Sequence, residues 1–236
     1  MQGYTRRQLK EDKFAEKTKE AVQWTAGHQR VVTWAFILVV LGLGGYFGYS
    51  TWESRQSEAA NAALGSAMRT LNDQLRPAGT PQVEGEQSFT SVADRAKAAG
   101  KQFKAVADQY SYTKPGKIAR YMEGVAAMEE GDGASAEQQF KAVAGSSDKN
   151  IAALAKMALA SYYRSSNKLS DATRIYKDLQ EHPTDTVSKV QAQLAMAEMY
   201  ENSDPQQAAS LYKQIQQENP ANLAGQMAAA RLATVK

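Results

Sequence analysis

Chemistry needs convergent polar side chains, and few positions in this sequence offer them. The two histidines, His28 and His182, lie in a charged N-terminal stretch and beside Pro183 at a turn. His28 reads as a flank at headgroup level. His182 reads as a helix-end cation that suits the dipole there. Glu129, Glu130 and Asp132 form a small acidic cluster, which reads as a solvated turn rather than a calcium site. There is no cysteine, so disulfides and thiolate metal sites are excluded and the redox compartment is not legible from thiols. No HExxH, Gly-rich phosphate loop or GxSxG occurs. The expectation is a protein without catalytic residues, cofactor or resident metal, and not an enzyme.

Binding chemistry remains, and a repeat must position it. From Phe89 onward four similar units recur: Phe103-Lys104-Ala105-Val106, Phe140-Lys141-Ala142-Val143, Tyr176-Lys177-Asp178-Leu179 and Tyr212-Lys213-Gln214-Ile215. Their spacings are 37, 36 and 36 residues. One helical turn before each aromatic stands an alanine: Ala99, Ala136, Ala172 and Ala208. Small, aromatic and aliphatic residues at these offsets share one helix face. The small residue admits a neighbouring helix and the aromatic fills the space beside it. Alanine is abundant and β-branched residues are sparse after residue 53, so the predicted class is all-α. A period near 36 with this pattern predicts a helix-turn-helix solenoid.

A different signal precedes the repeats. Val31 to Tyr49, VVTWAFILVVLGLGGYFGY, carries no charge, and as a helix it covers roughly 28 Å, about the thickness of a bilayer core. Trp34 lies near one end and Tyr46, Tyr49 and Trp52 near the other, as aromatic belts do. Residues 31–49 are therefore expected to form a single transmembrane helix. A cleavable signal peptide fits poorly, because about thirty residues precede the span and no small-x-small site follows it. Thr5-Arg6-Arg7-Gln8-Leu9-Lys10 partly resembles a twin-arginine signal, but some twenty mostly polar residues separate it from the apolar run.

Charge sets the orientation. The chain is +3, and residues 1–30 hold 7 Lys+Arg against 4 Asp+Glu, whereas the chain from Ser50 onward is formally neutral with 21 of each. The positive-inside rule places tail 1–30 in the cytoplasm and everything after Trp52 across the membrane. A neutral main domain gives no support to nucleic-acid binding. In the tail, Leu9, Lys13, Phe14, Lys17, Ala21 and Trp24 recur at helical spacing. Three readings stand: an interfacial helix, a docking face for a cytoplasmic partner, or a charged tail that only fixes topology. Within the span, Gly44-x-x-x-Gly48 has the small-residue spacing that lets two membrane helices approach. Residues 53–76 have strong helical propensity and can continue the span outward. Pro77 to Gln87 then reads as a loop.

The repeat resembles tetratricopeptide repeats. The third unit shows this best: Leu159-Ala160-x-x-Tyr163, a turn at Ser166-Asn167-Lys168, then Ala172, Tyr176, Leu179 and Pro183. The fourth has Ala197-x-x-Tyr200, Ala208, Tyr212, Ile215 and Pro220; the second has Gly124-x-x-Ala127, a turn at Gly131-Asp132-Gly133, Ala136, Phe140 and Val143. The first departs most, offering Leu64-Gly65-x-x-Met68 before its long loop. The resemblance implies hairpins near 53–112, 115–148, 150–184 and 186–220, a cap at 222–236, and a repeat domain over 53–236. In such solenoids the first helix of each hairpin lines the concave face. That puts Tyr121, Val125, Met128, Met157, Ser161 and Arg164 on or near a protein-binding groove. Met and Tyr suit a surface that takes varied apolar segments. For each of them, packing against the next repeat is the competing reading.

The order of parts resembles one family in particular: a charged tail, one span, a junction Trp52-Glu53-Ser54-Arg55-Gln56 into an Ala-rich helix, then a small repeat domain. It resembles the YfgM-type ancillary subunits of the bacterial Sec translocon. That resemblance implies an inner-membrane protein whose periplasmic domain works with a SecYEG-type channel, a membrane-anchored prolyl isomerase of the PpiD type, and client polypeptides. The rival readings are a scaffold for another envelope complex and an accessory subunit of a membrane enzyme.

Overall fold

The computed structural model describes Trp24, residues 27–77, residue 79 and residues 88–235. Among these residues there are nine α-helices and, outside them, one isolated parallel bridge between Leu75 and Phe89. Two compact units divide at Arg55 and Gln56. Helix α1 (Gln29–Leu71) contributes to both.

The first unit is the apolar half of α1. An 18-residue window within the helix has a mean hydropathy of 2.0 and no buried residue, which makes it a candidate membrane span. Its two threonine hydroxyls are satisfied within the helix: Thr33 donates to the Gln29 carbonyl at 2.8 Å and Thr51 to the Phe47 carbonyl at 2.8 Å. Internal satisfaction of this kind is what a lipid environment demands. The tail positions Leu9, Lys13, Phe14, Lys17 and Ala21 lie outside the described residues. Trp24 is described, and its ring stacks on His28 with centroids 4.7 Å apart.

The second unit begins with the rest of α1. There the helix buries Ala60, Leu64, Ala67 and Leu71. It stops at Leu71, short of the 76 that propensity suggests. Its end tightens to i→i−3 bonds, with Asp73 N–H donating to the Thr70 carbonyl at 3.4 Å, while the Asn72 side-chain amide joins its own N–H on the Met68 carbonyl at 2.8 Å. Pro77 then disfavours the α region at Arg76. Arg76 N–H instead donates to the Phe89 carbonyl at 2.8 Å, beside the Leu75–Phe89 bridge. Most of the expected loop 77–88 lies outside the described residues.

Eight helices follow: α2 (Val92–Gln109), α3 (Lys114–Glu130), α4 (Gly133–Ala144), α5 (Lys149–Ser165), α6 (Leu169–Glu181), α7 (Lys189–Tyr200), α8 (Pro205–Glu218) and α9 (Leu223–Leu232). Each packs on the next in chain order, so the unit is a stack of hairpins. Local sequence sets the starts. Ser91, Thr113, Asp132, Asp148, Ser188, Asp204 and Asn222 each accept a backbone N–H of the helix they precede, and Ser188 with Gln191 forms a full capping box. Of these eight helices, α6 alone lacks a side-chain cap. Gly131, at φ 90°, ends α3 in the left-handed region that glycine enters without strain.

The repeated pattern is the core. Ala99, Phe103 and Val106; Ala136, Phe140 and Val143; Ala172, Tyr176 and Leu179; and Ala208, Tyr212 and Ile215 are all buried. Gly124 on α3 lies against the Phe140 ring so closely that an added Cβ would stand 2.7 Å from its nearest carbon. Polar ties join neighbouring helices of the stack. Arg95 on α2 donates to the Asp73 carbonyl at 2.9 Å and reaches Glu129 on α3 at 3.4 Å. Lys97 reaches Glu130 at 3.0 Å, and Asp132 caps α4. The three carboxylates of the acidic turn are therefore each engaged separately. Among the described residues no cluster of His, Cys, Asp or Glu has the grouping of a metal site.

Candidate protein-binding face

The first helices of the second and third hairpins are α3 and α5, and they carry the six groove residues named from the sequence. Tyr121, Val125 and Met157 are half-buried and pack against one cluster that includes Ala127, Phe140, Leu159 and Tyr163. The Tyr121 ring meets Phe140 at 5.8 Å between centroids, tilted by 43°. Burial pushes the Tyr121 hydroxyl above the ordinary tyrosine range. These three side chains thus pack in the core and keep an accessible edge. Met128, Ser161 and Arg164 are exposed.

Arg164 points to the next hairpin. Its guanidinium lies 3.7 Å from the Glu198 carboxylate on α7. Arg164 and Glu198 line an open cleft of about 450 Å³ with Leu169, Met199 and Asn202. The structure therefore joins Tyr121, Val125 and Met157 through shared packing and links Arg164 onward to α7. Gly44 and Gly48 belong to the other unit. Both are exposed, and a Cβ added to either would meet nothing within 4 Å.

Three polar features escaped the sequence reading. Glu123 on α3 is half-buried with one carboxylate oxygen fully covered and unpartnered. Burial pushes its pKa above the carboxylate range, opposed by Lys104 and Arg120. A second cleft, of about 610 Å³, opens between the start of α5 and the end of α6. There Lys156 grips Asp178 at 2.6 Å and holds that carboxyl below its usual range. Third, Glu137 on α4 accepts from Lys141 at 2.6 Å, from the Tyr163 hydroxyl at 2.9 Å and from Lys168 at 3.3 Å. Those donors, Lys141 first, hold Glu137 at about 2. Partners 22 to 31 residues apart leave no local signal in a sequence.

The stacked hairpins present accessible helix edges in series. The chain's residues 22–175 match the tetratricopeptide repeat-like domain. It belongs to that family. The match covers the apolar helix and the stack as far as α6. No curated protein matches the chain. Among solved structures, a putative kinesin light chain from Podosopora anserina, described as nearly identical TPR-like repeats, is similar with a TM-score of 0.54. At 14% identity over 76% of this chain and 85% of that one, the likeness concerns the fold alone. A tetratricopeptide repeat-like fold is the architecture of a protein-interaction scaffold.

Proposed function

We propose that this chain is a membrane-anchored scaffold that binds proteins through the first-helix face of its repeats. The observation carrying this reading is the pairing, in one chain, of an apolar helix with no buried residue in its span window and a stack of capped hairpins with accessible first-helix edges. The span is single-pass with the N-terminus in the cytoplasm and the repeats outside, because the basic excess lies before it. The order of parts supports a finer assignment: an inner-membrane partner of the Sec translocon that handles secreted proteins with periplasmic chaperones. Gly44 and Gly48 would contact a channel or chaperone membrane helix. Tyr121, Val125, Met128, Met157, Ser161 and Arg164 would hold the chaperone or client.

Site-specific photo-crosslinking in intact cells tests this, with probes at Gly44 and Tyr121. The expected crosslinks run from Gly44 to channel or chaperone membrane helices, and from Tyr121 to chaperones or nascent secreted chains. If both positions gave a single stoichiometric partner from another complex, the translocon role would fall and the chain would be a structural subunit.

A further inference from the structure

The last helix repeats a face that has already found its partner once. On α7, Val190, Gln193, Leu194 and Ala197 occupy one face, at offsets of 0, 3, 4 and 7. Val190, Leu194 and Ala197 gather with Ala208, Tyr212 and Ile215 of α8. Gln193 is buried and its amide donates to Glu218 at the end of α8, at 3.2 Å. Thirty-three residues later the same pattern returns on α9 as Leu223, Gln226, Met227 and Ala230. Each is an equivalent or like residue: aliphatic for aliphatic, Gln for Gln, Met for Leu, Ala for Ala.

The two copies differ in what covers them. Gln193 and Ala197 are fully buried, with Val190 and Leu194 half-buried, whereas all four residues on α9 are exposed, Leu223 at 70% and Met227 at 45%. The opposite side of α9, through Gly225, Ala228 and Leu232, is the side that closes on α8. Helix α9 is therefore the first helix of a hairpin whose second helix is not supplied by the described residues. A terminal helix that only capped the stack would carry polar residues there.

We propose that this face of α9 docks an amphipathic helix of a partner protein, which completes a fifth hairpin. The interface it continues is the α7–α8 interface, so the occupant has the chemistry of α8. It presents a small residue, an aromatic four positions later and an aliphatic three beyond, with a carboxylate near its C-terminal end to take the Gln226 amide. A second copy of this chain is a poorer occupant. Helices of that pattern in it, α2, α4, α6 and α8, already have their apolar faces buried in their own hairpins. The docking face is separate from the α3–α5 groove and stands whether or not that groove holds a client.

The test uses the full chain in lipid nanodiscs and a labelled peptide of residues 204–219, DPQQAASLYKQIQQEN, as the probe. Fluorescence anisotropy is expected to show saturable binding. Leu223→Gln with Met227→Gln should weaken it by about tenfold or more, the effect of removing two apolar contacts. A probe with Tyr212→Ala and Ile215→Ala should lose it equally. Because both substituted residues of the chain are exposed, its thermal unfolding should not change, which separates lost docking from lost folding. Absence of saturable binding, or binding indifferent to these substitutions, overturns the proposal. Sedimentation is run alongside. Concentration-dependent self-association of the wild-type chain that the Leu223→Gln, Met227→Gln variant abolishes would assign the face to a second copy and overturn the partner helix.

Discussion

Glu137 shows how one side chain joins three parts of the stack. It sits on α4 and accepts from its own helix through Lys141, from the end of α5 through Tyr163, and from the following turn through Lys168. The Lys168 ammonium also lies over the Tyr163 ring, 5.2 Å from its centroid. Charge-assisted bonds of this kind are stronger than neutral ones, though partial exposure and salt discount them. Glu137→Gln should therefore cost about 1 kcal/mol at neutral pH. Its pH dependence has a definite sign. The folded carboxyl titrates at about 2, below its ordinary 4.5, so its stabilisation is complete above 4.5 and is lost as pH falls toward 2. Denaturant midpoints of wild type and variant should differ most at pH 6 to 7 and converge near pH 2 to 3. A difference that stays constant with pH would show that geometry, and not the carboxylate charge, is what the substitution removes.

At the scale of elements, glycines with opposite roles give a sharper test than a large truncation. Gly124 on α3 abuts Phe140, and a Cβ there would stand 2.7 and 2.8 Å from two ring carbons. Gly124→Ala therefore forces the ring aside, at about 1–3 kcal/mol, which outweighs the roughly 1 kcal/mol that alanine adds to a helix. Gly100 on α2 is different, because a Cβ there meets only the Ala126 methyl at an ordinary 3.5 Å. Gly100→Ala should stabilise by up to about 1 kcal/mol. Thermal melts that moved both variants in the same direction would contradict this packing. The contrast also shows where sequence reading succeeds and stops. The Ala172, Tyr176 and Leu179 row was legible because small, aromatic and aliphatic residues recur at fixed offsets, and burial is what those offsets produce. The stop at Leu71 was not legible, because the backbone beyond it is drawn to a partner outside the helix, Arg76 pairing with Phe89 thirteen residues later. Tyr121 and Met157 were legible as first-helix residues. How much of each faces solvent was not, since that depends on Phe140 and Tyr176 arriving from other helices. The exposed face of α9 has the same apolar spelling as the covered face of α7, so only the structure distinguishes them.

At the scale of the whole molecule, charge and hydropathy make one prediction that needs no knowledge of a partner. A tail with 7 basic and 4 acidic residues stands before the apolar stretch, and a neutral remainder stands after it. Reversing the chain would place the basic tail across the membrane against the positive-inside bias, while the neutral repeats would gain nothing from the cytoplasmic side. The sequence holds no cysteine, so a single one reports its own location. Thr18→Cys marks the tail, and Ser210→Cys marks an exposed position on α8. With a membrane-impermeant maleimide, Ser210→Cys should label in intact spheroplasts and Thr18→Cys only after lysis. Labelling in the reverse order would invert the topology and overturn the proposed role with secreted chains. Labelling of both without lysis would mean that the apolar helix does not span the bilayer. The repeats would then remain a protein-interaction scaffold, with α1 free to seek an apolar partner other than lipid.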